Sequence, residues 1–284
     1  ADVLPRVKKY IHVWKTDAQG LVIPRSVGWT WGDWGENKDM TLLFNLWYVI
    51  ALKGYEEMNQ LAGEAEEAAW ARTTADKLRK VFHRTFWNGK YYISPGYQGK
   101  PDDRAQALAV VSGVLPKELY PVIRPFFSTW YHASPYMEKY VLEALCTMGY
   151  YQDALNRMKL RYRVMIESPL TTLWEGWGIG SEGFGGGTYN HAWSGGPLTI
   201  LSQYIAGIET LEPAFRTFRV APHPAHLNFI RTQVPLSGGR RIVFEMDKSA
   251  HSGTMYLRVP EGTSAQVVLS LIHISEPTRH SLIS

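Results

Sequence analysis

From Pro5 to about Glu209, apolar residues recur at spacings of three and four, the period of an amphipathic helix. The pattern is clear in MTLLFNLWYVIALKGYEEMNQLAGE, EEAAWARTTADKLRKVFHRTFW and DDRAQALAVVSGV. It continues in PKELYPVIRPFFSTW, SPYMEKYVLEALCTMGY, YQDALNRMKLRYRVMIES and GGPLTILSQYIAGIE. Ser134 followed by Pro135 marks one helix start, with Ser as N-cap and Pro at the first helical position. Short turns containing Gly, Pro or Asn join the segments and make neighbours antiparallel, which predicts a succession of helical hairpins interrupted by long loops. After Glu209 the period falls to two, in FRTFRVAP, LNFIRTQVPL, RRIVFEMDKS and TMYLRVPEG. The predicted architecture is mainly α, with hairpins over residues 1–209 and a small, truncated antiparallel β domain over 210–268, too few strands for a complete sandwich.

Composition narrows the function classes. A chain of 284 residues, 45% hydrophobic and 20% charged, can bury a large core. No apolar run approaches the roughly 18 residues of a membrane span. The net charge is +4, but Lys and Arg are scattered, with only short pairs such as Lys8-Lys9 and Arg240-Arg241, which argues against a nucleic-acid surface. The single Cys146 lies in an apolar helical pattern and reads as a buried thiol. There is no disulfide framework and no Cys/His metal signature, so no metal or cofactor is expected. The aromatic content of 13% fits a groove that stacks on flat apolar faces such as sugar rings.

The aromatics and acids gather in two loops. GWTWGDWGENKD, Gly28 to Asp39, sets Trp29, Trp31 and Trp34 among Asp33, Glu36 and Asp39. TTLWEGWGIGSEGFGGGTYNHAWSGG, Thr171 to Gly196, carries Trp174, Glu175, Trp177, Glu182, Phe184, Tyr189, His191 and Trp193 among many glycines. Glycine lets a backbone approach a ligand closely, and loops on a rigid scaffold are where sites concentrate. A carboxylate between two tryptophans is poorly solvated when charged, which suits an acid or base working near neutrality. The competing structural reading is that Glu175 caps a helix or pairs with an Arg and that the tryptophans are core. His191 reads equally well as a core histidine or a ligand contact. Asp102 and Asp103 read most simply as the N-cap and first-turn acids of the next helix. The run Gly185 to Gly187 is not a phosphate loop, because no strand precedes it and no GK[ST] follows.

Taken in order, GWTWGDWGENKD, DDRAQALAVVSGVL, SPYMEKYVLEAL, TTLWEGW and YNHAWSGGPLTILSQYIAGI, followed by strands, resemble the C-terminal part of bacterial α-L-rhamnosidases of glycoside hydrolase family seventy-eight. The resemblance runs from about Pro5 to Val268, and TLWEGW and NHAW carry most of it. It implies a partial (α/α)6 toroid followed by a β-sandwich, and metal-free, inverting hydrolysis of terminal α-L-rhamnosyl bonds on a glycan or other rhamnosylated substrate. It implies that Glu175 is the general base and His191 a sugar-binding residue, with Gly32, Asp33 and Trp34 matching a Gly-Asp-Trp motif at the rim. Trp31, Asp39, Trp174, Trp177 and Trp193 join the expected substrate contacts. Inversion requires two carboxyls roughly 6.5 to 9.5 Å apart, with room for a water.

The departures from the family are informative. Its general acid belongs to an acidic motif upstream, and none precedes Trp29 here, which makes Glu36 the remaining candidate donor. About eight helical segments stand where six hairpins need twelve. The chain therefore reads as a fragment with little activity of its own, and the residues GENKD after Gly-Asp-Trp leave the sugar open. A bacterial periplasmic, extracellular or cytoplasmic setting is implied. Two other readings stay open. One is another toroid glycosidase or a polysaccharide lyase using Tyr189 and His191; the other is a sugar-binding module without catalysis. Finally, LSLIHISEPTRH, Leu269 to His280, resembles the in-frame translation of a transposase adapter used in preparing sequencing libraries, so residues 269–284 are expected to be non-native.

Overall fold

The computed structural model describes residues 3–25, 30–179, 187–249 and 252–269. Trp29, Glu182, Phe184 and the tail from residue 270 lie outside the described residues.

Eight α-helices occur among the described residues: α1 (Leu4–Ile11), α2 (Met40–Ala62), α3 (Ala65–Phe86), α4 (Asp103–Val111), α5 (Tyr120–Ile123), α6 (Pro135–Thr147), α7 (Tyr151–Ile166) and α8 (Gly196–Ile200). Helices α2 and α3 form the clearest hairpin. The turn works because Gly63 takes φ +79°, a left-handed conformation that only glycine adopts freely, and so closes the end of α2. One stripe of α2 buries Leu42, Leu43, Leu46, Val49 and Leu52, and α3 answers with Ala68, Ala71, Ala75, Leu78, Phe82 and Phe86. Each fully buried Leu or Phe contributes roughly 1.5–3 kcal/mol. As predicted, Ser134 caps α6, its hydroxyl accepting from the Met137 N–H, and Pro135 occupies the first turn.

Two helical expectations are corrected. PKELYPVIRPFFSTW is not one helix: it breaks into a 3-10 turn at Lys117–Leu119, the four-residue α5 and a second 3-10 turn at Arg124–Ser128. Pro121 and Pro125 lack an amide hydrogen and crowd the preceding turn, so the apolar period cannot be carried by continuous α-helix. The last helical stretch is likewise short, α8 widening into a π turn over Leu201–Ile205.

The chain divides into two compact units, one of Ala1–Gly149 with Arg157–Ser194, the other of Tyr150–Asn156 with Gly195–Ser284. The second holds two three-stranded sheets. β1 (Ile208–Thr210), β2 (Thr217–Val220) and β6 (Ser264–Val267) form one, in the order β1-β2-β6. β3 (Phe229–Pro235), β4 (Arg241–Lys248) and β5 (Gly253–Arg258) form the other. All pairs are antiparallel except β2 with β6, which is parallel. Side-chain alternation marks a strand but not its partner's direction, so this pairing was not legible beforehand. The core of the unit gathers Leu155, Ile205, Ile208, Phe218, Val220, Ile230, Ile242 and Phe244.

In the first unit α4 is buried on every side, including Asp103 and Arg104. Arg157 answers Asp103 at 2.7 Å and Glu138 at 2.6 and 3.0 Å, and donates to the carbonyls of Phe127 and Trp130. Buried charges persist only when so paired. Cys146 on α6 is buried, and burial pushes its thiol up to about 12. The native protein is therefore expected to resist Ellman's reagent at pH 8 and to react stoichiometrically in urea. Fast labelling without denaturant would show that α6 is not packed in this way.

Candidate active site

The first loop is held from behind by one guanidinium. Arg104, fully buried, donates through Nε to Asp102 at 2.7 Å and through Nη1 to Asp33 at 3.3 Å and the Trp34 carbonyl at 3.1 Å. Its Nη2 reaches the carbonyls of Glu36 at 2.7 Å and Asn37 at 2.8 Å. A planar fork can satisfy so many acceptors at once because its donors are fixed in one plane. The clamp offsets a backbone cost, since Asp33 has φ +151°, a conformation that L-residues avoid. Asp33 Oδ2 also accepts from the Ser134 N–H at 2.9 Å, whereas Oδ1 is buried without a hydrogen bond among the described residues. Burial raises the Asp33 carboxyl above the usual range, with Arg104 opposing.

The acids of this loop thus differ in kind. Glu36 is exposed. Asp39 is buried and its oxygens are taken up by the Leu42 N–H at the start of α2 and by the Ser94 N–H and hydroxyl, so its carboxylate is a helix cap rather than the free ligand group expected.

In the second loop the strands of chain before and after the glycine run lie side by side. The Glu175 N–H donates to the Thr188 carbonyl at 2.9 Å, and the His191 N–H to the Leu173 carbonyl at 2.9 Å. Glu175 Oε2 accepts from the Thr188 N–H at 3.0 Å and lies 3.6 Å from His191 Nδ1. Trp193 Nε1 donates to the Glu175 carbonyl at 3.1 Å. The two nearest tryptophans face inward: Trp174 is buried beside Tyr162 and Met165, and Trp177 donates to the Ala133 carbonyl at 2.8 Å while Arg161 lies 4.2 Å over its ring. Both therefore pack the base of the loop, as the structural reading of these rings had it.

Aromatic rings join the two loops. Trp31 stacks on Trp193 at 6.0 Å and 24°, Tyr136 lies 5.4 Å from each, and His191 is 4.4 Å from Trp193. Trp34 meets Trp31 edge-on at 6.2 Å. Beside this stack is a cavity of about 670 Å³, lined in part by Trp14, Arg25, Trp31, Trp47 and Tyr136, a size common for small-molecule sites. Among the described residues no group of His, Cys, Asp and Glu could hold a metal ion, and no helix is long and apolar enough to cross a membrane.

The bacterial alpha-L-rhamnosidase 6 hairpin glycosidase domain matches residues 1–205, and the bacterial alpha-L-rhamnosidase C-terminal domain matches 207–279. The chain belongs to this family. Its helical unit is a piece of the six-hairpin glycosidase fold, followed by the family's C-terminal domain. Solved structures agree on the fold. The GH78 family rhamnosidase of Bacillus sp. GL1 is 24% identical with a TM-score of 0.77, over 94% of this chain and 31% of its own. The alpha-L-rhamnosidase of Dictyoglomus thermophilum is 19% identical, TM-score 0.79, over 94% and 31%. That of Streptomyces avermitilis, complexed with L-rhamnose, is 17% identical, TM-score 0.69, over 94% and 27%. The chain thus spans under a third of the length of these relatives. A comparison with curated protein sequences finds no match.

Several residues at this candidate site escaped sequence reasoning. They are Tyr136 on α6, Thr188 in the second loop and Arg104 on α4. The available signal was slight: two tyrosines, Tyr136 and Tyr140, four apart on the helix that follows a Ser-Pro start, in contact at 6.0 Å.

Proposed function

We propose that this chain carries the general-base side of an inverting α-L-rhamnosidase site, with Glu175 activating the water. The observation that carries the reading is the meeting of Glu175, His191 and the Trp31–Trp193 stack. One carboxylate oxygen is fixed by Thr188, and among the described residues no donor holds the other, which leaves it able to take a proton from water. The rings offer apolar faces to a deoxy sugar and its methyl group, and His191 offers a polar contact to hydroxyls, whereas the Asp33 carboxylate is fully buried against Arg104 and supports the loop from within. Asp39, Trp174 and Trp177 are assigned supporting roles, because their polar atoms or ring faces are already engaged within the fold.

The deciding measurement is hydrolysis of a nitrophenyl α-L-rhamnoside with the first-released sugar followed by proton NMR. This leaving group needs little protonation, so the assay reports on the base even where the acid is weak or absent. Release of β-L-rhamnose first is the expected result. Release of the α anomer first would overturn the inverting mechanism, and L-rhamnose binding without turnover would leave a sugar-binding module.

Glu36, exposed and anchored only through its backbone, is the candidate proton donor. Glu36→Gln is expected to slow an alkyl rhamnoside about a hundredfold or more while sparing the nitrophenyl substrate. Equal losses on both substrates would exclude the donor role.

A further inference from the structure

We infer that Thr188 is a positioning residue that fixes both the Glu175 carboxylate and the tautomer of His191. The inference rests on the reading of Glu175 as base and extends it to a residue outside the expected site. The Thr188 N–H donates to Glu175 Oε2 at 3.0 Å, and its carbonyl accepts from the Glu175 N–H at 2.9 Å. The Thr188 hydroxyl lies 3.4 Å from the same Oε2 and 3.0 Å from His191 Nδ1, with the Asn190 carbonyl farther off at 3.5 Å.

A hydroxyl has one proton and two lone pairs, so with a neutral His191 the Oγ1–Nδ1 contact is made in one of two ways, and where the hydroxyl proton is free it goes to Oε2, nearer than the Asn190 carbonyl and charged. In one, His191 Nδ1–H donates to Oγ1 and the hydroxyl proton points to the carboxylate. In the other, the hydroxyl donates to a bare Nδ1 and nothing but the backbone N–H reaches Oε2. The first makes one more hydrogen bond, and that bond ends on a charged acceptor, which is the stronger kind. Thr188 therefore holds His191 with its proton on Nδ1. His191 Nε2, which makes no hydrogen bond among the described residues, is then an acceptor for a sugar hydroxyl. The tautomer at a site histidine is set by what its other nitrogen meets.

The test is a pair of variants, Thr188→Val, which keeps the shape and removes the hydroxyl, and Thr188→Ser, which restores it. In ¹⁵N-histidine-labelled protein, the His191 signals are assigned by their loss in His191→Gln. They should show a protonated Nδ1 in the wild type and in Thr188→Ser, and a protonated Nε2 or a mixture in Thr188→Val. Turnover of a nitrophenyl α-L-rhamnoside should fall about tenfold in Thr188→Val through kcat and return in Thr188→Ser. A wild-type spectrum with Nε2 protonated, or a Thr188→Val protein with unchanged tautomer and kcat, would overturn the inference, as would a Thr188→Ser protein as impaired as Thr188→Val. Failure of the base assignment reads differently: Glu175→Gln would keep its turnover while the tautomer pattern stood.

Discussion

Glu175→Gln is expected to lower turnover of a nitrophenyl α-L-rhamnoside by about 10²–10⁴, the usual contribution of a general base, while L-rhamnose affinity changes less than about threefold. The amide is isosteric and can still accept a hydrogen bond from the Thr188 N–H, so the pairing between the two sides of the loop survives. What is lost is the ability to take a proton from water. If the glutamine's NH₂ instead turns toward Thr188, the loop loses one bond, a defect that would appear as weaker rhamnose binding. The kcat against KM split, together with a rhamnose titration, separates the two. Azide offers a further check, since a small anionic nucleophile that needs no deprotonation should restore part of the turnover of Glu175→Gln. Unchanged kcat in the variant would remove Glu175 from the chemistry and leave the His191 and tryptophan cluster as a binding surface.

The parts of this molecule that could be read beforehand are those that depend on near neighbours in sequence. The 3.6-residue period placed α2, α3 and α6, and the cap of α6 followed from Ser134-Pro135. The two aromatic loops stood out because tryptophan, acid and glycine together suit no regular element. What failed was whatever depends on distant partners. Trp174 and Trp31 look alike in the chain, yet one is packed beside Tyr162 and the other stacks on Trp193. Asp39 and Glu36 are three residues apart; the Leu42 N–H makes a helix cap of the first, and Ser94, brought from a remote turn, takes up its oxygens as well. Asp102, Asp103 and Arg104 form a local pattern indistinguishable from a solvated helix start. Their burial is set by Arg157, Glu138 and the carbonyls of the first loop, which local periodicity cannot register.

That buried charge cluster carries the second large expectation, Arg157→Met losing about 3–5 kcal/mol of stability. Removing the guanidinium leaves Glu138 and Asp103, both fully buried, and two carbonyl oxygens without their donors, and methionine fills the space without replacing a single bond. Arg163→Met is the matched control. Its partner Glu167 is solvent-exposed, and such a pair is worth about 0.5 kcal/mol or less. Urea unfolding at constant m-value should resolve the two, with a large drop in midpoint for the first and almost none for the second. The consequence extends to the site. Arg161 lies 3.6 Å from Glu138, donates to the Ala133 carbonyl at 2.6 Å and supports the Trp177 ring, and Trp177 Nε1 donates to the same carbonyl. Trp177 is two residues from Glu175, so loosening this cluster should lower kcat at temperatures where the protein is still folded. Replacing Arg157, Glu138 and Asp103 together by apolar residues of similar volume should recover part of the stability, because no carboxylate is then left buried without Arg157, although Arg161 loses its partner Glu138. If the triple variant is no more stable than Arg157→Met, the loss lies in packing and carbonyl satisfaction rather than in unpaired charge.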